Sequence, residues 1–389
     1  MRNHKRSHKL ISFIILILIY LSTISILYCE NSIPSTIDKA LEIENTNPDL
    51  AMEILEKAYK DNPSSFDILF HLGRINYERV NKTGEADTEK SAIRKNASFN
   101  YDYYYQKAFN YLVNAHQIEP KHPDTILLMG KITFYFQKFK ECIIYYNKFL
   151  ELVHDAPEPI FEQGVAYFSL GDFDNAEKNF KKGVKINPSN GENYYNLGII
   201  KQNQKKYAEA RTYFIQASNI FDGQQKKKEL VDALVYAGIC AINEGKDVDG
   251  IKYYNSAIDI DPENSMGYFN LAAYYAEKEY YDRALQIYNT YLNKNTHDIY
   301  VYQRIVSLLK KTGKYQTGIS ILTKLEEKEP GNAYILFHLG QLYYLGKDYD
   351  NAKSYFQKCI EGEGKKTSFG SYSLKYLNEI KEKTDNKKN

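Results

Sequence analysis

The sequence predicts an all-α solenoid built from helix–turn–helix units. Two observations carry that prediction. The first is a small residue recurring with a period of 34, at Gly130, Gly164 and Gly198 and again at Gly238, Ala272, Val306 and Gly340. A fixed period of this length marks a repeat array whose unit is a pair of helices. The step from Gly198 to Gly238 is 40, so it holds six additional residues. The second observation lies downstream of each of these positions. Another small residue comes 12 later, at Cys142, Ala176, Ala210, Gly250, Ala284, Gly318 and Ala352. A large apolar residue stands four beyond it: Tyr146, Phe180, Phe214, Tyr254, Tyr288, Leu322 and Phe356. Spacings of three and four share one helix face. The small residues let two antiparallel helices cross closely, where a bulky one would overpack them by about 1–3 kcal/mol. Pro188, Pro262 and Pro330 come after the second helices and end them.

In chain order, residues 1–29 read as a signal peptide or membrane anchor. Arg2, Lys5, Arg6 and Lys9 precede an apolar run from Leu10 to Leu27. Eighteen residues suit a membrane span, and the flanking cations put the repeats on the side away from the cytoplasm. Cys29 closes the run, which resembles a bacterial lipoprotein signal in which that cysteine is acylated. Tyr28 stands where a small residue is usual. Lipidation, an uncleaved anchor and ordinary cleavage all stay open, and the first two tether the chain to a membrane in the cell envelope.

Residues 30–364 read as the array. Ala51, Leu55, Ala58 and Pro63 make the second helix of a degraded first repeat, and Leu72–Gly73 opens the next. There the spacing from Gly73 to Ala108 is 35 where 12 is expected, so 23 residues are inserted. This polar stretch, about 79–101, reads as a surface excursion. Its removal is expected to leave helix content and melting unchanged. Residues 365–389 read as a capping helix and a basic tail. Leu374, Leu377 and Ile380 lie on one helix face there, and a solenoid needs a terminal cap.

The repeat pattern resembles the tetratricopeptide repeat family. Leu197–Gly198, Tyr207, Ala210, Phe214 and Ala217 carry the likeness in one unit, and Leu339–Gly340, Tyr343, Tyr349, Ala352 and Phe356 in another. The chain has no tryptophan, so the family's usual Trp slot is filled by Ile126, Ile160, Tyr194, Leu234, Tyr268, Tyr302 and Leu336. The resemblance implies a right-handed superhelix of about nine repeats with a C-terminal capping helix. It also implies a concave groove, lined by the first helix of each unit, that holds a partner protein or peptide. The fifth and ninth positions of the middle units would form an apolar stripe: Phe161, Val165, Tyr195, Ile199, Val235, Ile239 and Phe269. Glu158, Glu192 and Asp232, at the second position, would form an acidic edge. Such a stripe suits an apolar peptide or an amphipathic helix. Asn196 and Asn270, at the sixth position, are expected to bond between helices.

Charge and composition narrow the classes. Four of the 51 basic residues lie in the N-terminal segment, leaving 47 against 49 acidic ones. That balance does not recruit nucleic acid. Cys142 and Cys359 fill small-residue slots and, with Cys240, suit neither a disulfide framework nor a metal site. His116 and His122 flank a turn with Glu119, and Gly362–Thr367 lacks phosphate-loop spacing. No cofactor, metal or catalytic residue is expected, because little chain lies outside the array. The reading is a membrane-tethered adaptor or scaffold for envelope assembly, periplasmic if the cell has an outer membrane. A chaperone for exported apolar segments and a cell-wall carbohydrate binder are the alternatives.

Overall fold

The computed structural model describes residues 33–86 and 100–385, and for 81–86 it describes the backbone alone. Among the described residues there are nineteen helices and no strand. Cys29, the segment 1–32 and the middle of the insertion lie outside them. The chain divides into two compact units at Asn187 and Pro188.

The first unit holds four hairpins. They are α1 (Ile33–Ile43) with α2 (Pro48–Asp61), α3 (Phe66–Ala86) with α4 (Tyr101–Ile118), α5 (Pro123–Tyr135) with α6 (Phe139–Leu152), and α7 (Pro157–Ser169) with α8 (Phe173–Ile186). The second unit holds five more. They are α9 (Gly191–Asn203) with α10 (Tyr207–Gly223), α11 (Lys227–Asn243) with α12 (Asp247–Ile260), α13 (Ser265–Glu277) with α14 (Tyr281–Leu292), α15 (Ile299–Thr312) with α16 (Tyr315–Lys328), and α17 (Ala333–Leu345) with α18 (Tyr349–Glu363). A lone helix, α19 (Ser368–Asp385), comes last.

The core explains the period. In five hairpins a ring from the second helix lies against the glycine of the first, and at Gly73 Leu112 takes the ring's place. A Cβ added at Gly164 would stand 2.8 Å from Phe180, one at Gly198 2.7 Å from Phe214, and one at Gly340 2.8 Å from Phe356. Those three rings are wholly buried, each worth roughly 1.5–3 kcal/mol of apolar burial. Ala176, Ala210, Ala284 and Ala352, the second small residues, are wholly buried too. At Gly250 and Gly318 the vacancy is used by Ile242 and Leu309 from the first helix.

The turns repeat as regularly as the core. Gln137, Gly171, Lys205, Gly245, Glu279 and Lys347 each take a left-handed conformation between the two helices of a hairpin. The next residue then donates its N–H back to a carbonyl in the last turn of the first helix, as from Lys206 to Lys201 at 2.9 Å. Gln225 makes the same turn between α10 and α11, with Lys226 N–H reaching Phe221 O at 2.9 Å. This is where the six additional residues went. α10 and α11 are 17 residues each, against 14 in α8 and 13 in α9. Side-chain caps begin other helices: Asn190 accepts from Asn193 N–H and Asp348 from Asn351 N–H.

Three expectations change. The insertion does not leave the fold at residue 79, because α3 runs on to Ala86. Val80 is buried in a cluster with Tyr105 and Leu112, and Arg79 pairs with Asp49 and covers the Tyr104 ring. In α19 the expected inward face holds at Leu377 and Ile380 and fails at Leu374. Leu374 is exposed, whereas Phe369, Tyr376, Leu377 and Ile380 pack on the last hairpin. Asn196 and Asn270 bond to the carbonyls of Glu192 and Met266 on their own helices, both at 2.8 Å.

The place of α19 is that of a further first helix. It begins 35 residues after α17, and two bonds keep that offset: Gln341 donates to the Tyr376 hydroxyl at 2.9 Å and the Tyr344 hydroxyl to Glu379 at 2.8 Å. Where α17 has Gly340 under a ring, α19 presents exposed Lys375.

Candidate functional site: the faces of the first helices

In the first unit the predicted residues lie on α7. Phe161 and Val165 are half-buried, and the Phe161 ring stands 5.8 Å from Phe180 of α8. Its inner edge is therefore core and its outer edge surface. Glu158 is exposed and takes the Lys131 Nζ of α5 at 2.6 Å. Glu162, one position past Phe161, was not expected. It is half-buried and accepts a hydrogen bond from the Tyr146 hydroxyl. Burial lifts its carboxyl above the usual range and the Glu158 charge adds to this, while the Tyr146 bond and Lys131 oppose. Burial likewise works against the Lys131 ammonium, but its bond to Glu158 prevails and raises it. Farther toward the N-terminus, Arg74 grips Glu44 through both terminal nitrogens, at 2.6 and 3.2 Å, and Glu78 at 2.8 Å. Charged groups on this unit's first helices are thus largely paired within the chain.

In the second unit the face is aromatic and apolar. Tyr195 of α9 is half-buried, its ring 5.6 Å from Phe214 and 5.8 Å from Tyr236 of α11. Ile199, Ile239 and Phe269 are half-buried, and the Phe269 ring stands 5.8 Å from Tyr291. Val235 is a correction: it is wholly buried with Val231 against Tyr254 and does not line a groove. Rings at that slot emerge past the neighbouring helix, whereas a valine is too short to do so. Its place at the surface is taken by Tyr236, which stacks on Phe214 at 5.3 Å and 22°. A tyrosine next to an undersized fifth-position residue is the signal that could have found it.

Glu192 is joined by Lys226 at 3.3 Å on the edge of this face. Asp232 is half-buried beside Tyr195, and burial raises its carboxyl above the usual range. Lys228 lowers it and Glu229 raises it, so their fields oppose. Burial first, then Tyr236 and Asp232, raise the Tyr195 hydroxyl.

The titratable groups elsewhere are core. Cys142, Cys240 and Cys359 are free and wholly buried. Burial pushes the first two thiols up to about 12. His338 is buried, stacked on Tyr302 at 4.9 Å, and held down to about 4 by burial. Among the described residues no cluster of three His, Cys, Asp or Glu could hold a metal, and no helix is long and apolar enough to cross a membrane.

Hairpins that seat a bulky side chain on a small residue at a period of 34, with half-exposed faces on their first helices, define a helical-repeat protein. Parts of this array are similar to tetratricopeptide repeats. Tetratricopeptide repeat models match residues 41–100, 164–205, 191–221 and 333–361. The chain is 22% identical over 340 residues to the TPR repeat-containing protein MJ1428 of Methanocaldococcus jannaschii, covering 83% of this chain and 52% of that protein. It is 20% identical over 276 residues to the TPR repeat-containing protein YpiA of Bacillus subtilis, covering 70% and 61%. The chain thus spans little more than half the length of these relatives. Among solved structures, YrrB, described as a TPR protein with an unusual peptide-binding site, superposes with a TM-score of 0.41 at 15% identity, over 56% of this chain and 96% of that one. MamA superposes with a TM-score of 0.38 at 18% identity, over 41% and 89%.

Proposed function

We propose that this protein is a non-enzymatic adaptor that holds a partner protein or peptide on the first helices of its repeats. In this reading the N-terminal segment tethers it in a bacterial cell envelope for assembly there. The observation that carries the reading is the half-exposed face of Tyr195, Ile199, Tyr236, Ile239 and Phe269 in the second unit. A continuous apolar surface of that kind is a liability unless something covers it, and helical partners drop their side chains into such surfaces. The tether rests on the basic start and the apolar run Leu10–Leu27, and it raises the local concentration of partner at the membrane.

The test is cross-linked capture from native membranes by wild type and by an Ile199→Gln/Ile239→Gln variant that still melts cooperatively. These positions change the face without emptying the slots under Phe214 and Tyr288. A discrete protein lost in the variant is the expected result, and an identical catch from both proteins overturns the reading. Removing residues 1–29 should move the protein from the membrane to the soluble fraction. Cys29→Ser should abolish incorporation of labelled fatty acid if that cysteine is the lipidated one.

A further inference from the structure

At the second, fifth, sixth, ninth, twelfth and thirteenth positions of their repeats, α9, α11 and α13 carry Glu192, Asp232 and Glu277, and no lysine, arginine or histidine. The same positions on α15 reverse this, with Arg304, Lys310 and Lys311. Carboxylates therefore edge the aromatic part of the second unit, with Lys226, Lys228 and Lys278 near them. The three carboxylates are not equivalent. Glu277 is exposed to water, and Glu192 has Lys226 at 3.3 Å. Asp232 is half-buried next to the Tyr195 ring, lies in the opposing fields of Lys228 and Glu229, and has already lost part of its hydration. A carboxylate in that position gains when a cation is brought to it.

We infer that this face binds an amphipathic helix carrying a lysine or arginine beside its apolar stripe, with the cation seated at Asp232. The inference rests on the groove reading above and names the chemistry of the partner. The partner's leucine-like side chains lie along Ile199, Ile239 and Phe269. The methylene stem of its lysine or arginine covers Tyr195 and Tyr236 while the charged head reaches the carboxylate. The tyrosine faces add an attraction of their own for a cation. Complementary charge of this kind fixes register and rejects acidic partners.

The experiment uses the full chain and three fluorescent helical peptides of roughly five turns. They share one leucine stripe and differ in the flanking residue, which is Lys, Gln or Glu. Anisotropy titrations should show the Lys peptide binding about tenfold tighter than the Gln peptide and the Glu peptide weakest, with the gap narrowing as salt rises. Asp232→Asn, nearly the same shape, should bring the Lys and Gln peptides together, and Asp232→Lys should favour the Glu peptide. Thermal melts of both variants check that they fold. Equal binding of Lys and Gln peptides to wild type overturns the inference and leaves the groove reading standing. A Lys preference that survives Asp232→Asn also overturns it. Failure of all three peptides to bind overturns the groove reading itself.

Discussion

Among the hairpins of the first unit, Lys131 of α5 reaches Glu158 of α7, and the Tyr146 hydroxyl of α6 reaches Glu162. On α11 of the second unit, Asp232 lies in the opposing fields of Lys228 and Glu229 of its own helix. The hairpins beneath are built alike, with a ring on a small residue in both units. The difference teaches that the inner register of the repeat fixes the fold, while the outer register is free to vary. In one unit that freedom goes into pairing between helices, and in the other it leaves a half-buried carboxylate, Asp232, beside aromatic rings.

If the inner register is common to both units, overpacking it should hurt both equally. Gly164→Leu and Gly198→Leu drive a side chain into Phe180 and Phe214. Each should lose about 3 kcal/mol in denaturant unfolding. A loss confined to one unit would break the comparison at its base. The outer register should respond unequally. Lys131→Met strips the cation from Glu158 and Glu162 and should cost about 1 kcal/mol, whereas Asp232→Asn should leave the melt unchanged or slightly higher. Equal losses would show that both faces are structural.

Two carboxylates sharpen the contrast through pH. Burial raises the folded-state pKa of Glu162 above its unfolded value. Its contribution is therefore complete below the unfolded carboxylate range and is lost as pH rises through the folded value. Glu162→Gln should raise the melting temperature near pH ~7 and leave it unchanged near pH ~3. Glu244 of the second unit is the reverse. Hydrogen bonds from Arg211, at 2.7 and 3.2 Å, hold its carboxyl below the usual range. Its contribution is present above the unfolded value and lost as pH falls through the folded one, so Glu244→Gln should lower the melting temperature at neutral pH and matter less in acid. Scanning calorimetry across that range checks both signs.

The smallest effect belongs to the insertion. Deleting 87–99 with a short flexible bridge should barely move the melt, since loop closure depends weakly on length. Deleting from 79 onward should lower it, because Val80 and Arg79 belong to the first unit's packing.

Slots that must be small or large to let two helices cross are legible along the chain, and so Gly198, Ala210 and Phe214 predicted their own contacts. The outer face was legible in outline. Its period gave Tyr195, Ile199 and Phe269, but a repeat consensus treats each slot alone. Whether Val235 or Tyr236 reaches the surface depends on the relative length of two side chains and on Phe214 below them. Glu162 was hidden for a similar reason: nothing along its own helix says that a tyrosine from α6 will be waiting. The inward face of α19 was legible at Leu377 and Ile380 and misread at Leu374, because position relative to α17, not apolarity, decides which side turns in.

Lys375 sets how this array can grow. A further second helix docking on α19 in the register of the array would meet that lysine where the other hairpins have glycine, alanine or valine. New modules fit more readily upstream, as whole 34-residue units spliced between existing hairpins with the block from Ala333 carried along intact. Gene duplication would find such splices easily, and so would an engineer, who could lengthen the protein or shuffle its aromatic face among modules without redesigning the stop.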